Sequence, residues 1–472
     1  MGMFLELHAQ SPKQEVRAVW LTSNYALDWP DKPFRNIDEL YEQQANLIHI
    51  LDKLKAANFN MVFLQTRLRG DVIYRSAIEP VSPYIQEGKI TGLTYDALTF
   101  AVAECHKRGL ECHAWFVTYP LRNVQTLKQH LDKTKSYGEE FYMDPGDPGT
   151  NTYLLSLIEE IVEQYDIDGI HLDYIRYPDN AKDFPDQATY QRFGKGLTKS
   201  EWRQENINRF VYQVYDMVKS RKRWVQVSSS VMGIYDYIAG TKRQYATAAA
   251  VCQNPEKWLR DGKHDFIVPM MYCSGDLFRS FVRNWQARSH GRWIIPGLGI
   301  YRIDEKEGNW KVETIEEQIQ YTRDNRMEGN AMYRTRYLMN NQKGILDILT
   351  HHFYRYPAVL PPLTWLSQTK PEPPQNVEAI TSGDYMFLYW DPVTPGAAGK
   401  ILYNVYRSES WPIDTGRSDC LIAVGAPDGR LFVPLNSAKE SGFYYAVTSS
   451  DRYHNESRIS DPVYYVMGPF EK

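Results

Sequence analysis

Between residues 16 and 358, short apolar runs alternate with longer stretches whose apolar residues recur at three- and four-residue steps. The runs are Val16–Leu21, Met61–Gln65, Glu111–Val117, Gly169–Asp173, Val225–Ser229, Asp265–Met271, Trp293–Leu298 and Gly329–Tyr333. Several are continuous and β-branched, as expected for strands covered on both faces. Leu40–Asn58, Tyr95–Arg108, Thr152–Tyr165 and Asn206–Lys219 carry the helical period. Eight strand–helix units predict an α/β fold, a (β/α)8 TIM-like barrel. An open doubly wound sheet would favour a glycine-rich first turn, and none follows Leu21.

The pattern changes after Leu360-Pro361-Pro362. Prolines continue through Lys370-Pro371-Glu372-Pro373-Pro374 and predict a stiff, extended connection. Beyond it come short alternating strands at Tyr385–Trp390, Leu402–Arg407, Leu421–Val424 and Phe443–Ser449. These predict a small all-β, immunoglobulin-like sandwich. Pro374-Gln375-Asn376-Val377, Trp390, Tyr403-Asn404-Val405-Tyr406-Arg407 and Tyr444-Tyr445-Ala446-Val447-Thr448 resemble a fibronectin type III module. The expected division is 15–358 for the barrel, 359–374 for the linker and 375–472 for the sandwich. Residues 1–14 are read as a tag, a signal remnant or a disordered start: Glu6 interrupts a short apolar stretch that lacks a basic beginning.

Composition then narrows the classes. The formal charge is −4, with no basic excess to suggest a nucleic-acid partner. No apolar run reaches the roughly 18 residues of a membrane span. The five cysteines are scattered without a C-x-x-C pair or a His/Cys cluster. We therefore expect no catalytic metal or cofactor, and buried free thiols rather than a Cys105–Cys112 disulfide. Aromatic residues are abundant: 12 Trp, 34 Tyr and 18 Phe, 14% of the chain.

In a barrel the functional groups stand at the C-terminal ends of the strands. Applied here, that rule collects Trp20, Thr22 and Asn24; Arg67, Arg69 and Asp71; His113, Trp115 and Tyr119. The fourth strand ends His171-Leu172-Asp173-Tyr174-Ile175-Arg176-Tyr177-Pro178. Later ends contribute Tyr272, Tyr301 and Tyr333. His171 and Asp173 alternate with Leu172, so both face the barrel interior. A carboxyl group on a rigid strand end beside His, Arg and Tyr suits a nucleophile or a general acid/base.

These residues carry a family resemblance. Glu15-Val16-Arg17-Ala18-Val19-Trp20-Leu21-Thr22, with Asp28-Trp29-Pro30, resembles the opening of the bacterial glycosyl hydrolase-like family 10. Phe63-Leu64-Gln65-Thr66-Arg67 with Gly70-Asp71, Tyr74, Ser76 and Glu79-Pro80 continues it. So do His113-Ala114-Trp115, the segment Asp168–Pro178, Pro269-Met270-Met271-Tyr272 and Gly299-Ile300-Tyr301. Two motifs differ: Val117-Thr118-Tyr119-Pro120 stands where many members have Asn-Pro-Tyr-Arg, and Tyr174 replaces a second Asp. The resemblance implies a TIM-like barrel with glycosidase activity, a peptide-free peptidoglycan glycan as leading substrate, and a secreted, periplasmic or cell-surface location.

Glycoside hydrolysis ordinarily needs two carboxyl groups flanking the bond. Asp173 is the first. Asp276 and Asp71 compete for the second place, with Asp236 and Asp304 behind them. Trp20, Trp115, Tyr177, Tyr272 and Tyr301 are candidate sugar-facing rings, because aromatic faces match the C–H faces of sugars. Arg17, Arg67, Arg176, His113 and His171 are candidate polar contacts. Residues 178–200 form a long connection that could wall a subsite. The expected partner is an oligo- or polysaccharide. The alternative is a non-catalytic carbohydrate-binding protein that keeps the aromatic platform but lacks the second carboxylate. An esterase is disfavoured, since Ser228-Ser229-Ser230 lacks the G-x-S-x-G setting.

Overall fold

The computed structural model describes residues 11–88, 95–179, 181–236, 251–382, 385–396, 399–434 and 441–467. The larger unit is built on a parallel sheet whose strands are buried on both faces. They are β1 (Val16–Leu21), β2 (Met61–Arg67), β3 (Glu111–Val117), β4 (Gly169–Asp173), β5 (Gln226–Val231), β6 (Phe266–Pro269), β7 (Trp293–Ile294), β8 (Gly297–Leu298) and β9 (Gly329–Met332). Their spatial order is β7-β6-β5-β4-β3-β2-β1-β9-β8. The two end strands are halves of one segment. Trp293 and Ile294 pair with β6, while Gly297 and Leu298 pair with β9. The sheet therefore curls until residues 293–298 join its ends, as in a TIM-like barrel. Pro296 lies at the interruption, where a residue without N–H cannot extend the ladder.

Alternation sorts the side chains into two cores. Val19, Leu21, Val62, Leu64, Ala114 and Leu172 pack outward against the helices. Val16, Ala18, Trp20, Phe63, Trp115 and Phe266 fill the interior. Among the helices, Ile37–Ala56 begins at Asn36, whose side chain accepts from the Glu39 amide. Lys199–Arg221 begins with a reciprocal capping box between Thr198 and Glu201. An excursion the periodicity did not predict, Pro120–Met143, carries a small antiparallel sheet in the order Pro120–Leu121, Glu140–Met143, Thr134–Tyr137.

The C-terminal part is all-β. One sheet joins Glu378–Ser382, Tyr385–Tyr389 and Arg430–Pro434. The other orders Leu421–Ala426, Ile401–Ser408, Ser441–Asp451 and Val463–Met467. Met386, Leu388, Trp390, Tyr403, Val405 and Tyr445 share the core between them.

This part does not hang free. Leu363 of the proline-rich connection and Tyr453 pack into the interior cluster of the barrel, closing its floor. The Leu363 amide donates to the Tyr453 carbonyl at 2.9 Å. His454 stacks on Trp293 with ring centroids 5.7 Å apart and reaches Glu111 at 2.6 Å. Gly109 and Gly425, both in the left-handed region, meet backbone to backbone; a Cβ on Gly109 would lie 2.6 Å from the Gly425 carbonyl oxygen. All five cysteines are free thiols. No helix among the described residues is long and apolar enough to cross a membrane.

Candidate active site

At the C-terminal ends of the strands lies a cleft with about 990 Å³ of space, open to solvent. Asp173, the last residue of β4, stands in its wall and is 9% exposed. Trp115 Nε1 donates to its Oδ2 at 3.0 Å, and the Tyr174 amide donates to Oδ1 at 2.7 Å. The turn that presents these groups is fastened by Thr118, whose hydroxyl donates to the carbonyls of Asp173 and Tyr174. Tyr174 itself has φ of 52°. Burial pushes the Asp173 carboxyl above its ordinary range, against the pull of the Tyr174 amide, Arg176, Trp115 and Arg69.

Aromatic and cationic groups complete the wall. Tyr272 and Tyr333 stack at 5.6 Å, and Trp20 meets Tyr333 edge-on at 5.8 Å. The guanidinium carbons of Arg69 and Arg176 lie 5.6 and 5.1 Å from the Tyr174 ring centre. Burial, with Asp173 nearby, raises the phenols of Tyr174, Tyr272 and Tyr333, so each keeps its O–H as a donor at neutral pH. Ser230 and Gln65 also line the cleft. Asp173 is the one carboxylate among the described residues lining it.

A second hollow, with about 780 Å³ of space, adjoins the first through Asn24 and Arg69. Asp71 lines it. Burial, followed by the like charge of Glu79, pushes the Asp71 carboxyl up to about 6.

Several expected site residues lie elsewhere. Arg17 faces outward near the start of β1 and is fully buried, bonded to Glu15 and to the Tyr356 carbonyl. Parity explains this: Val16, Ala18 and Trp20 take the inward positions. Arg67 follows a register shift between β2 and β3 that turns it out of the barrel. It forms a buried pair with Glu79 and donates to the carbonyls of Val117 and Thr118. His113 points inward but lies deep, bonded to Glu111 at 2.9 Å and packed over Gly169. His171 lies one step beneath Asp173, stacked on Phe63 at 4.1 Å. Its Nε2 accepts from Trp20 Nε1 at 3.1 Å, so the proton sits on Nδ1, 2.9 Å from the Ser228 hydroxyl. Burial lowers its pKa well below the usual value, keeping the ring neutral.

Tyr177 is also withdrawn, buried against Phe184 with its hydroxyl accepting from Asn206. Tyr301 packs edge-on behind Tyr272 and Tyr333. Asp276 opens the helix Gly275–Gln286 with its side chain 98% exposed, outside both hollows. Asp236 pairs with Arg288, and Asp304 accepts from the Lys306 amide in a surface turn. No described residue from 178 to 200 lines the cleft. Trp20, Trp115, Asp173, Arg176 and Tyr272 meet there, together with the strand-end residues Thr22, Asn24, Arg69, Tyr174 and Tyr333. Ser230 and Gln65 were not expected. The alternation of β5 and β2 carries both inward, yet a lone Ser or Gln on a strand gives no chemical cue.

Residues 15–291 match the family described as glycosyl hydrolase-like 10. The chain belongs to that family. Among curated proteins, this glycosyl hydrolase-like 10 chain is 29% identical to "Glycosyl hydrolase YngK" of Bacillus subtilis over 96% of its own length and 94% of the relative's. It is also 29% identical to "Glycosyl hydrolase DigH" of Escherichia coli K12, over 64% of this chain and 78% of that one. Among solved structures, the glycoside hydrolase domain of PgaB (BpsB) from Bordetella bronchiseptica superposes with a TM-score of 0.51 at 15% identity. That match covers 72% of this chain and 99% of the other, and it speaks to the fold alone.

Proposed function

We propose that the protein is a glycoside hydrolase that cleaves O-glycosidic bonds in a bacterial cell-wall or related polysaccharide, with peptide-free peptidoglycan strands as the first substrate to try. The observation that carries this reading is Asp173, a buried carboxyl group at a strand end in the wall of a cleft of tyrosines, tryptophans and arginines, in a family of this description. Asp173 takes the position facing the anomeric carbon. Its two N–H donors hold it in place, and its charge opposes the positive charge of an oxocarbenium-like transition state. Asp71 is the second carboxyl group. With its pKa pushed up to about 6, it holds its proton at mildly acidic pH and is suited to hand it to the leaving oxygen there. The stacked tyrosines supply a sugar platform and hydroxyl donors.

The supporting experiment is reducing-end release from a glycan panel by wild type, Asp173→Asn, Asp71→Asn and Asp276→Asn. Asp173→Asn loses about 10³-fold in kcat while remaining folded. Asp71→Asn loses about 10²-fold. Asp276→Asn behaves as wild type. Hydrolysis undiminished in Asp173→Asn removes that residue from the mechanism. The second reading, a non-catalytic carbohydrate-binding barrel, is favoured by the single carboxylate in the main cleft. It is the outcome if wild type binds these glycans without releasing ends. The C-terminal module we read as fibronectin type III-like, on its three- and four-stranded sheets. Such a polymer substrate also places the enzyme outside the cytoplasm.

A further inference from the structure

The cleft of Asp173 and the hollow of Asp71 share two lining residues, Asn24 and Arg69. Between the two spaces stands a ridge of side chains to which the reaction above gives no part. Tyr25 lines the cleft, while Tyr84 and Arg122, which touch its ring, line the hollow. The Tyr84 ring meets Tyr25 edge-on at 5.8 Å, and the Arg122 guanidinium carbon lies 4.7 Å from the centre of the Tyr25 ring. Tyr25 is nevertheless 42% exposed.

The backbone holds Tyr25 there against its own preference. Tyr25 and Ala26 are both left-handed, with φ of 56° and 52°. Residues with a Cβ avoid that region, and two in succession persist only where the surroundings impose them. Gln65 Oε1 accepts from the Thr22 hydroxyl at 2.6 Å and from the amides of Ser23 and Asn24 at 3.2 and 3.1 Å. The Ser23 hydroxyl donates to the Gln65 carbonyl at 2.7 Å. At the far end Asp28 accepts from the Thr22 amide at 3.0 Å and from Arg334 at 2.8 Å. The segment is pinned at both ends, and the strained turn between them carries Tyr25 to the cleft.

The polar groups of the ridge are open. Among the described residues, neither the half-buried Asn24 side-chain amide nor the exposed Arg122 guanidinium has a hydrogen-bond partner or an ion pair, and neither is shut off from solvent. Arg69 is already paired with Glu140, and Asp71 shares the hollow with Arg122. The ridge therefore offers stacking and hydroxyl bonding rather than an ionic hold. An exposed aromatic ring beside an amide and a guanidinium matches a pyranose, with its apolar C–H face and its rim of hydroxyls.

We propose that Asn24, Tyr25 and Arg122 form a further sugar subsite, with a pyranose unit stacked on Tyr25 and its hydroxyls bonded to Asn24 and Arg122. The bound glycan then continues from the cleft across the ridge into the Asp71 hollow. The subsite rests on the glycan reading above, because a chain reached by both Asp173 and Asp71 must cross the ridge that divides them.

The test is titration calorimetry with a disaccharide and an octasaccharide from peptide-free peptidoglycan. It uses full-length protein carrying Asp173→Asn, which slows turnover. The octasaccharide binds more tightly than the disaccharide. Tyr25→Ala in that background weakens the octasaccharide about tenfold, whereas Tyr25→Phe keeps the ring and most of the affinity. Arg122→Ala weakens it several-fold and carries the test alone if Tyr25→Ala does not fold. If neither oligosaccharide binds, the glycan reading of the cleft fails and the subsite falls with it. If glycan binds, the cleft reading stands, and the subsite alone is overturned by any of three results: equal affinity for the two lengths, octasaccharide affinity indifferent to the alanine substitution that folds, or Tyr25→Phe as weak as Tyr25→Ala.

Discussion

Asp173 is held between opposing influences: burial favours its neutral form, and two N–H donors favour its anion. Trp115→Phe removes one donor and keeps an aromatic ring. The carboxyl pKa then rises further, so the acid limb of the kcat–pH profile moves to higher pH and kcat falls about tenfold. A profile that superposes on wild type would show that the Trp115 bond is catalytically idle. Asp71 makes the opposite kind of prediction. Its folded pKa, about 6, stands above its ordinary 3.8. In that interval the folded state holds more protons than the unfolded one, so this group makes stability fall as pH rises from about 4 to 6. Asp71→Asn is therefore more stable than wild type at pH 7, by about 1–3 kcal/mol in urea unfolding, while it loses activity. Equal stability at pH 7 would show that the carboxyl is not strained by its surroundings.

At the scale of a strand, depth matters as much as facing. Gly169 leaves room for the His113 ring: a Cβ there would stand 2.1 Å from Nδ1. Gly169→Ala is expected to destabilise by about 3 kcal/mol or more, and His113→Ala in the same chain to restore much of the loss; chemical denaturation of the single and double variants checks it. The same geometry explains what could be read beforehand. The eight apolar runs fall on the observed strands because strands covered on both faces keep an unbroken apolar signature. Trp20, Trp115, Asp173 and Tyr272 were legible at the cleft because parity and strand-end position agree for them. His113 and His171 share that parity but lie deeper, since each two-residue step is about 6.8 Å, and the end of a buried run is not marked in composition. Arg17 failed on parity and Arg67 on a register shift, which no local pattern announces. Asp276 failed because its strand ends at Pro269 and the intervening turn carries the residue onto a helix start. Strands Glu378–Ser382, Arg430–Pro434 and Val463–Met467 passed unnoticed, half-exposed and short of apolar alternation.

Across the whole molecule, barrel and C-terminal module are joined by a titratable contact. His454 lies between Glu111 and Trp293. Glu111 is held well below its ordinary 4.5, with burial opposing and the charge of His454 the largest lowering influence. Its contribution is present above that value and is lost as pH falls toward the folded one. His454 is raised above its ordinary 6.5: burial alone would lower it, and the Glu111 carboxylate outweighs burial. Its contribution is full below 6.5 and is lost as pH rises through the folded pKa. The joint is firmest between about pH 4.5 and 6.5. Thermal melting of His454→Gln against wild type across pH 4–9 should show the largest gap inside that window and a narrowing gap above it. A constant gap would separate the joint from protonation.

The closing of the barrel floor by Leu363 and Tyr453 has a consequence for how the protein meets a polymer. A module on a loose tether samples many directions and can grip one strand while the catalytic mouth works on another. Here the module is seated like a keel under a hull. Its surfaces keep one bearing relative to the cleft, so a long glycan is approached by a single rigid body whose reach is set by its shape.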